Sequence, residues 1–241
     1  MGNTPLFSEL LFRIYFTVFP EVIMHNHTYR LTKFVKSVPR QLKKGDVILD
    51  AGCGSMPYRR YFKNYTYIGQ DVVETPGLDI VSDITSIPLK ANSVDAILCT
   101  QVLEHCKTPD KVFKEFGRLL KPGGKLFLST HHAFPIHMEP HDYYRFTKYG
   151  LAELAESNDF VVESIVPQGG IFIVISKLLN IAIPKVLGDS VIVKIIYYAL
   201  FTIPLFIMNL IFYLLDFLDK KKDITLNYEC VFVNNKRAAS R

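Results

Sequence analysis

Three acidic residues close three consecutive short apolar runs: Asp50 in VILDAGCG (47–54), Asp71 in YIGQD (67–71) and Asp83 in the segment that follows. The first run reads as a strand that ends in a carboxylate and two glycines, Gly52 and Gly54, whose missing side chains let a ligand approach the backbone. Asp71 comes about 20 residues later, where a carboxylate accepts hydrogen bonds from both hydroxyls of a ribose. Asp83 is followed by Ile84, so a carboxylate can meet an adenine amino group while an apolar side chain packs on the ring. In an open parallel sheet, ligands bind at the carboxyl ends of the strands. All three carboxylates would converge there.

A second group of reactive side chains lies in the stretch His131-His132-Ala133-Phe134-Pro135-Ile136-His137-Met138-Glu139-Pro140-His141-Asp142-Tyr143-Tyr144-Arg145, which holds four of the seven histidines. His137 and His141 are the candidates for a general base, with His105 behind them. The same rings serve equally well to shape the loop. Arg145 with Asp142 reads as a structural pair before a substrate clamp, and Tyr143 and Tyr144 either wall an acceptor pocket or pack beneath it. A metal set of His131, His132, His137, Glu139 and His141 meets no standard ligand spacing, and no metal is expected. Cys53 sits between two glycines with nothing nearby to activate it, so steric fit explains it better than nucleophilic chemistry.

The elements that must position these residues lie between Asp46 and about Val166, where short apolar runs alternate with helix-period segments. That alternation is the signature of a parallel sheet covered on both faces. Strands are expected at Val47–Ala51, Tyr65–Asp71, Asp79–Asp83, Val94–Thr100, Lys125–Thr130, Phe160–Val166 and Leu226–Asn234. The clearest helix begins with Thr108 as cap and Pro109 at its first position, carries Val112, Phe113, Phe116, Leu119 and Leu120 on one face, and stops at Pro122-Gly123-Gly124. Another runs from about Thr147 to Ser157.

Taken together, VILDAGCG, YIGQD, SDITSIPL, VDAILCTQVLEH and LLKPGGKLFLST, over about residues 46–158, resemble the class I methyltransferases, and among them the branch of quinone and sterol methylases. The resemblance implies S-adenosyl-L-methionine as cofactor and a Rossmann-like three-layer α/β sandwich, its mostly parallel seven-stranded sheet ordered 3-2-1-4-5-7-6 with the last strand antiparallel. It further implies that Gly52 and Gly54 lie against the methionine part of the cofactor, Asp50 near its amino group, Asp71 on the ribose, and Asp83 with Ile84 at the adenine. Gln101 would line the pocket close to the transferred methyl, and the histidine-rich loop would hang over it. The sulfonium is already activated, so transfer is a direct displacement that asks for positioning, with a base useful only for a weakly acidic acceptor such as a hydroxyl.

Outside this core the chain is unusually apolar. Hydrophobic residues make up 49% of it and its mean hydropathy is +0.17, with the excess near the start and late in the sequence. Pro5 to about Val22 reads as an amphipathic helix with a narrow polar stripe of Glu9, Arg13, Thr17 and Glu21. Ile195 to Leu215 carries no charge over a length that could span a bilayer. The strands placed before and after it belong to one sheet, which excludes a single crossing. A re-entrant or in-plane helical pair, bent at Pro184 and Pro204, fits better, and a hydrophobic lid is the alternative. The expected organisation is residues 1–44 as N-terminal helices, 45–168 with 224–241 as the methyltransferase domain, and 169–223 as a hydrophobic helical insertion.

The net charge of +5 is scattered in short clusters such as Lys220-Lys221-Lys222. That pattern argues against a nucleic-acid partner and suits an anionic membrane surface. The four cysteines show no pairing pattern and no secretory signal is evident, so the expected place is the cytoplasmic face of a membrane, with peripheral contact. The acceptor is then a lipid, a quinone or a lipid-linked saccharide. Three competing functions are a methyltransferase of a soluble small molecule, a non-catalytic membrane-surface module, and a nicotinamide-dependent oxidoreductase. The last draws on Asp71 and on Tyr144-x-x-x-Lys148 but lacks the third glycine after Gly54.

Overall fold

The computed structural model describes residues 20–24, 26–186 and 191–236, and the expected helix from Pro5 falls almost wholly outside them. The chain divides into two compact units, residues 1–32 with 169–226 and residues 33–168 with 227–241.

The second unit is built on a seven-stranded sheet. Its strands are β1 (Val47–Ala51), β2 (Thr66–Asp71), β3 (Ile80–Val81), β4 (Val94–Thr100), β5 (Leu120–His131), β6 (Phe160–Gln168) and β7 (Asn227–Asn234). They are ordered β3-β2-β1-β4-β5-β7-β6. The first five are parallel, and β7 runs antiparallel between β5 and β6. This is the expected order.

Side-chain alternation along β5 explains how the layers form. Leu126 and Leu128 point to one face, where Val112, Phe113, Phe116 and Leu119 of α2 (Pro109–Leu119) and Leu151 and Ala155 of α3 (Lys148–Glu156) complete a buried cluster. Phe127 points the other way and meets Phe34 of α1 (Asn26–Ser37) edge to face at 6.4 Å. Period-2 strands with apolar residues on both faces need helices on both sides.

Local details depart from expectation in three places. No α-helix joins β1 to β2; the connection holds only a single 3-10 turn at Arg59–Tyr61. Thr108 stands at the start of α2 without a capping bond from its side chain, whereas Thr147 accepts the Gly150 amide at 3.0 Å and does cap α3. β3 is only two residues long, so Asp83 lies in the turn beyond it.

The other unit contains a helical turn at Glu21–Met24, α4 (Ile171–Val186) and α5 (Val191–Leu215), which runs through Pro204. Asp216 accepts the Gly170 amide at 2.9 Å and Asp219 accepts that of Ile171 at 2.9 Å, so two carboxylates beyond α5 cap the positive end of α4. Between the two helices, Asn209 accepts hydrogen bonds from Ser176 and from Asn180. Among the described residues no helix is long and apolar enough to cross a membrane.

Candidate functional site

The carboxyl ends of β1, β2 and β4 bring together most of the residues singled out from the sequence. Gly52 turns the chain out of β1 with φ 73°, and its amide donates to the Gln70 carbonyl at 2.8 Å. A Cβ at this position would fall 2.5 Å from Val102 Cγ2, so glycine is required by both conformation and space. Gly54 has φ 52° and nothing within 4 Å of where a Cβ would stand: its bare side opens onto the ligand edge.

Asp71 fastens this turn. One carboxylate oxygen accepts the Gly54 amide at 2.8 Å and the other accepts that of Val73 at 3.0 Å. A carboxylate offers about four acceptor positions, so two remain for a diol. Asp50 is 1% exposed and accepts a short hydrogen bond from the Tyr67 hydroxyl. Burial pushes its carboxyl up to about 7, the Tyr67 bond opposes this, and the charge of Asp71 adds to it. A buried anion with so little compensation is a site for a cationic group. Burial likewise pushes the Cys53 thiol up to about 12, which leaves it inert and consistent with the steric role.

Gln101 follows β4 with φ 57°. Its amide nitrogen donates to Ser129 Oγ at 2.7 Å, while its Oε1 is buried with no hydrogen-bond partner. Asp83 is exposed. Its Oδ1 is occupied by the Thr85 amide at 2.8 Å and hydroxyl at 2.6 Å, bonds that hold its carboxyl below the usual range. Ile84 packs partly against the core. Asp83 thus keeps one oxygen toward solvent at the same edge, and Ile84 has part of its surface left for a ring.

The histidine-rich loop is held by a two-armed ion pair. Arg145 Nη1 and Nη2 each lie 2.6 Å from Asp142 oxygens, and the guanidinium also donates to the Phe134 and Pro135 carbonyls. The Arg145 guanidinium holds the Asp142 carboxyl well below the ordinary carboxylate range. The pair is structural, as the sequence reading preferred.

The two base candidates separate. His141 is exposed, its Nδ1 3.1 Å from the Tyr143 hydroxyl, whereas the His137 ring packs edge-on against His105 and His131, each at 4.8 Å. His132 turns away to the Phe146 carbonyl, and Glu139 is exposed. The five residues weighed as metal ligands therefore do not gather.

What gathers instead is Glu104, His131 and His137, each with a donor atom within 4.8 Å of the others. Glu104 escaped the sequence reading. It sits in the 3-10 turn Leu103–His105 after β4 and is fully buried. Nothing in the spacing of QVLEH marks this glutamate as buried. The dehydrogenase pair is not assembled: the Tyr144 hydroxyl donates to the Lys107 carbonyl, and Lys148 lies over the Tyr149 ring.

Comparison with known proteins agrees with this geometry. Residues 49–128 match the family model described as "Methyltransferase domain". Two curated relatives are the ubiquinone biosynthesis O-methyltransferase of Coxiella burnetii (31% identical over 114 residues, 40% of this chain and 48% of that protein) and the tRNA (carboxymethyluridine(34)-5-O)-methyltransferase ALKBH8 of Mus musculus (29% over 115 residues, 43% and 17%). The chain thus spans less than half the length of these relatives. Among solved structures, a putative sarcosine dimethylglycine methyltransferase from Galdieria sulphuraria superposes with TM-score 0.57 at 18% identity, covering 95% of this chain and 99% of that one. Phosphoethanolamine N-methyltransferase 2 from Haemonchus contortus, in complex with S-adenosyl-L-methionine, gives 0.54 at 17%, covering 85% and 53%. The family-model match, the strand order and the carboxylate-lined edge agree: the chain carries a class I S-adenosylmethionine-dependent methyltransferase domain.

Proposed function

We propose that this protein transfers the methyl group of S-adenosyl-L-methionine to an oxygen of a lipid-type acceptor, a lipid, a quinone or a lipid-linked saccharide, at a membrane surface. The observation that carries the cofactor half is the edge formed by Asp50, Gly52, Gly54, Asp71 and Gln101. Asp50 offers a desolvated anion to the amino-acid ammonium, Gly52 and Gly54 let the methionine portion lie against backbone, and Asp71 keeps acceptor positions for the ribose hydroxyls. The orphaned Gln101 Oε1 gives the pocket one more acceptor. When bound, the cofactor supplies an activated methyl and the chain supplies alignment.

Oxygen as the receiving atom is supported by the two curated relatives, both named as O-methyltransferases. It is also supported by the basic group at the ends of β4 and β5. Of the two histidines singled out as bases, His137 is the one that packs beside His131 and Glu104, which supports it over the exposed His141 for taking up a hydroxyl proton. The lipid assignment rests on the helical unit. Leu200, Ile203, Ile207, Ile211, Leu214 and Leu218 are all at least half exposed and recur at helical spacing, forming one apolar stripe beside Lys220-Lys221-Lys222. An apolar stripe edged by lysines suits an anionic bilayer surface.

Calorimetry with S-adenosylhomocysteine tests the first half, and absence of binding refutes it. Flotation with phosphatidylcholine/phosphatidylglycerol vesicles tests the second. The protein should float with the vesicles and be released by charge replacement at Lys220, Lys221 and Lys222. Protein that stays in the dense fraction favours a soluble acceptor under a hydrophobic lid.

A further inference from the structure

We propose that the tip of the histidine-rich loop, with Ile136 and Met138 foremost, dips into an anionic bilayer and so sets the acceptor side of the methyltransferase unit against the membrane. Ile136 is 67% and Met138 69% exposed, whereas His137 between them turns inward onto the His105 and His131 rings. Single exposed apolar side chains are ordinary on a protein surface. These two differ because the tip that carries them is held fast. The His137 amide donates to Asp142 at 2.9 Å, the His141 amide donates to the Met138 carbonyl at 3.0 Å, and Arg145 grips Asp142 with two arms.

Met138 is an unusual residue for its backbone position. Its φ of 53° is left-handed, a region that glycine, asparagine and aspartate enter most readily. An exposed turn position of that kind favours a small polar residue, and methionine satisfies neither the backbone preference nor a place in the core. What it contributes there is apolar surface held outward.

The residues around the tip match a membrane interface. Tyr143 and Tyr144 are exposed, Lys107 lies over the Tyr143 ring at 5.7 Å, and Lys148 lies over the exposed Tyr149 ring at 5.2 Å. Tyrosine gathers at membrane–water interfaces, and lysine reaches from apolar surface to anionic headgroups. Opposing charge is slight. The Asp142 side chain is buried against Arg145, which leaves Glu139 as the exposed acid of residues 131–145. Two apolar side chains and a short rim are too few for a stable protein interface, which takes about 20 residues a side, whereas a bilayer demands no matching shape. Insertion would bring His137 close behind the membrane surface, where a lipid-type acceptor presents its hydroxyl. This inference rests on the lipid-acceptor reading and concerns the unit that does not carry the α5 stripe.

The chain has no tryptophan, so a single substitution makes a fluorescent reporter. Met138→Trp and, as a second variant, Ile136→Trp are mixed in the full chain with phosphatidylcholine/phosphatidylglycerol vesicles, and Leu214→Trp reports on the α5 stripe in parallel. Folding is checked by circular dichroism. The tip reporters should shift their emission to shorter wavelength and be quenched more by lipids brominated high on the acyl chain than by lipids brominated near its end, as insertion to about 5–10 Å requires. Ile136→Ser combined with Met138→Ser should lower partitioning into these vesicles at least about 10-fold with S-adenosylhomocysteine binding unchanged, and Lys107→Gln should lower it about 5-fold. Folded tip reporters that show no shift while Leu214→Trp does, or a double serine variant that partitions as the parent does, overturn the inference and leave the membrane reading standing. Silence from all three reporters overturns both. A shift that appears without vesicles and grows with protein concentration means that a second copy covers the tip, and it overturns the inference as well.

Discussion

Replacing Asp50 with asparagine should make the ligand-free protein more stable and the cofactor site useless. The carboxyl is 1% exposed, and its pKa stands at about 7 against an ordinary 3.8. Because the folded value lies above that of the open chain, its contribution favours the fold most below pH 3.8 and is withdrawn as pH rises through 7. At about 1.4 kcal/mol per pKa unit, the ionised carboxylate burdens the ligand-free fold by about 4 kcal/mol at pH 8 and about 2 kcal/mol at pH 5. An amide of the same size escapes that burden and still accepts from Tyr67. Asp50→Asn should therefore unfold roughly 10 °C higher than the parent at pH 8, with a smaller gain at pH 5. S-adenosylhomocysteine affinity should fall at least 30-fold, about 2 kcal/mol, through loss of the counter-charge to its ammonium. In the parent, binding at pH 7 should release about half a proton, because the bound ammonium draws the carboxyl back toward its ordinary range. Thermal unfolding over pH 5 to 8.5 with and without ligand, and calorimetry in buffers of different ionisation enthalpy, read all three effects. A variant that is destabilised at pH 8, or that binds as the parent does, refutes the assignment of Asp50.

The two glycines of the turn should respond differently to alanine. In Gly52→Ala the new Cβ meets Val102 at 2.5 and 2.7 Å in a left-handed conformation, so thermal unfolding should show a loss of about 3 kcal/mol. Gly54→Ala, with open space at Cβ, should cost about 1 kcal/mol for its conformation alone yet weaken S-adenosylhomocysteine binding in calorimetry. Arg145→Lys keeps the charge but loses the two-armed geometry, so limited proteolysis should cut faster between Phe134 and Arg145 while S-adenosylhomocysteine binding holds. The depressed Asp142 carboxyl stabilises the fold above its ordinary pKa and loses that contribution as pH falls, so the same variant should show a shallower acid loss of stability. Asn209→Ala leaves Ser176 and Asn180 without their shared acceptor inside the helical pair and should cost about 2 kcal/mol in thermal unfolding.

The sheet was legible because its cause is local. The runs at Val47 and Val94 are largely apolar at successive positions, as strands buried on both faces must be, while the run at Phe160 forms the edge strand with Val161 and Val166 exposed. The elements that misled are those whose signal is shared with other structures. Thr108 stands where a cap belongs but makes no capping bond, and the segment between β1 and β2, rich in tyrosine and arginine, folds as one 3-10 turn where a crossover helix would be usual. The third strand, too, stops before Asp83 because Thr85 draws that carboxylate into a turn.

At the site, the positions of the strand-end residues were readable from the sequence and those of the loop residues were not, for one physical reason. Asp50 and Asp71 are among the last residues of β1 and β2, and Gly52, Gly54 and Gln101 follow their strands within three residues, so all are placed by the sheet. His137 and His141 differ by only four positions on one loop, and nothing in their spacing says which ring is packed inward; that is decided by the Arg145–Asp142 pair, whose guanidinium gathers the Phe134 and Pro135 carbonyls and turns the His137 ring toward His131. Glu104 was invisible for the complementary reason. Its carboxylate comes to His131 through a 3-10 turn on a neighbouring strand, with Thr130 fixing one oxygen and leaving the other bare. Burial raises the Glu104 carboxyl above its ordinary range, and His131 Nε2 stands 3.5 Å from its bare oxygen, so this buried carboxyl is matched across neighbouring strands by a contact that no spacing in the sequence could reveal.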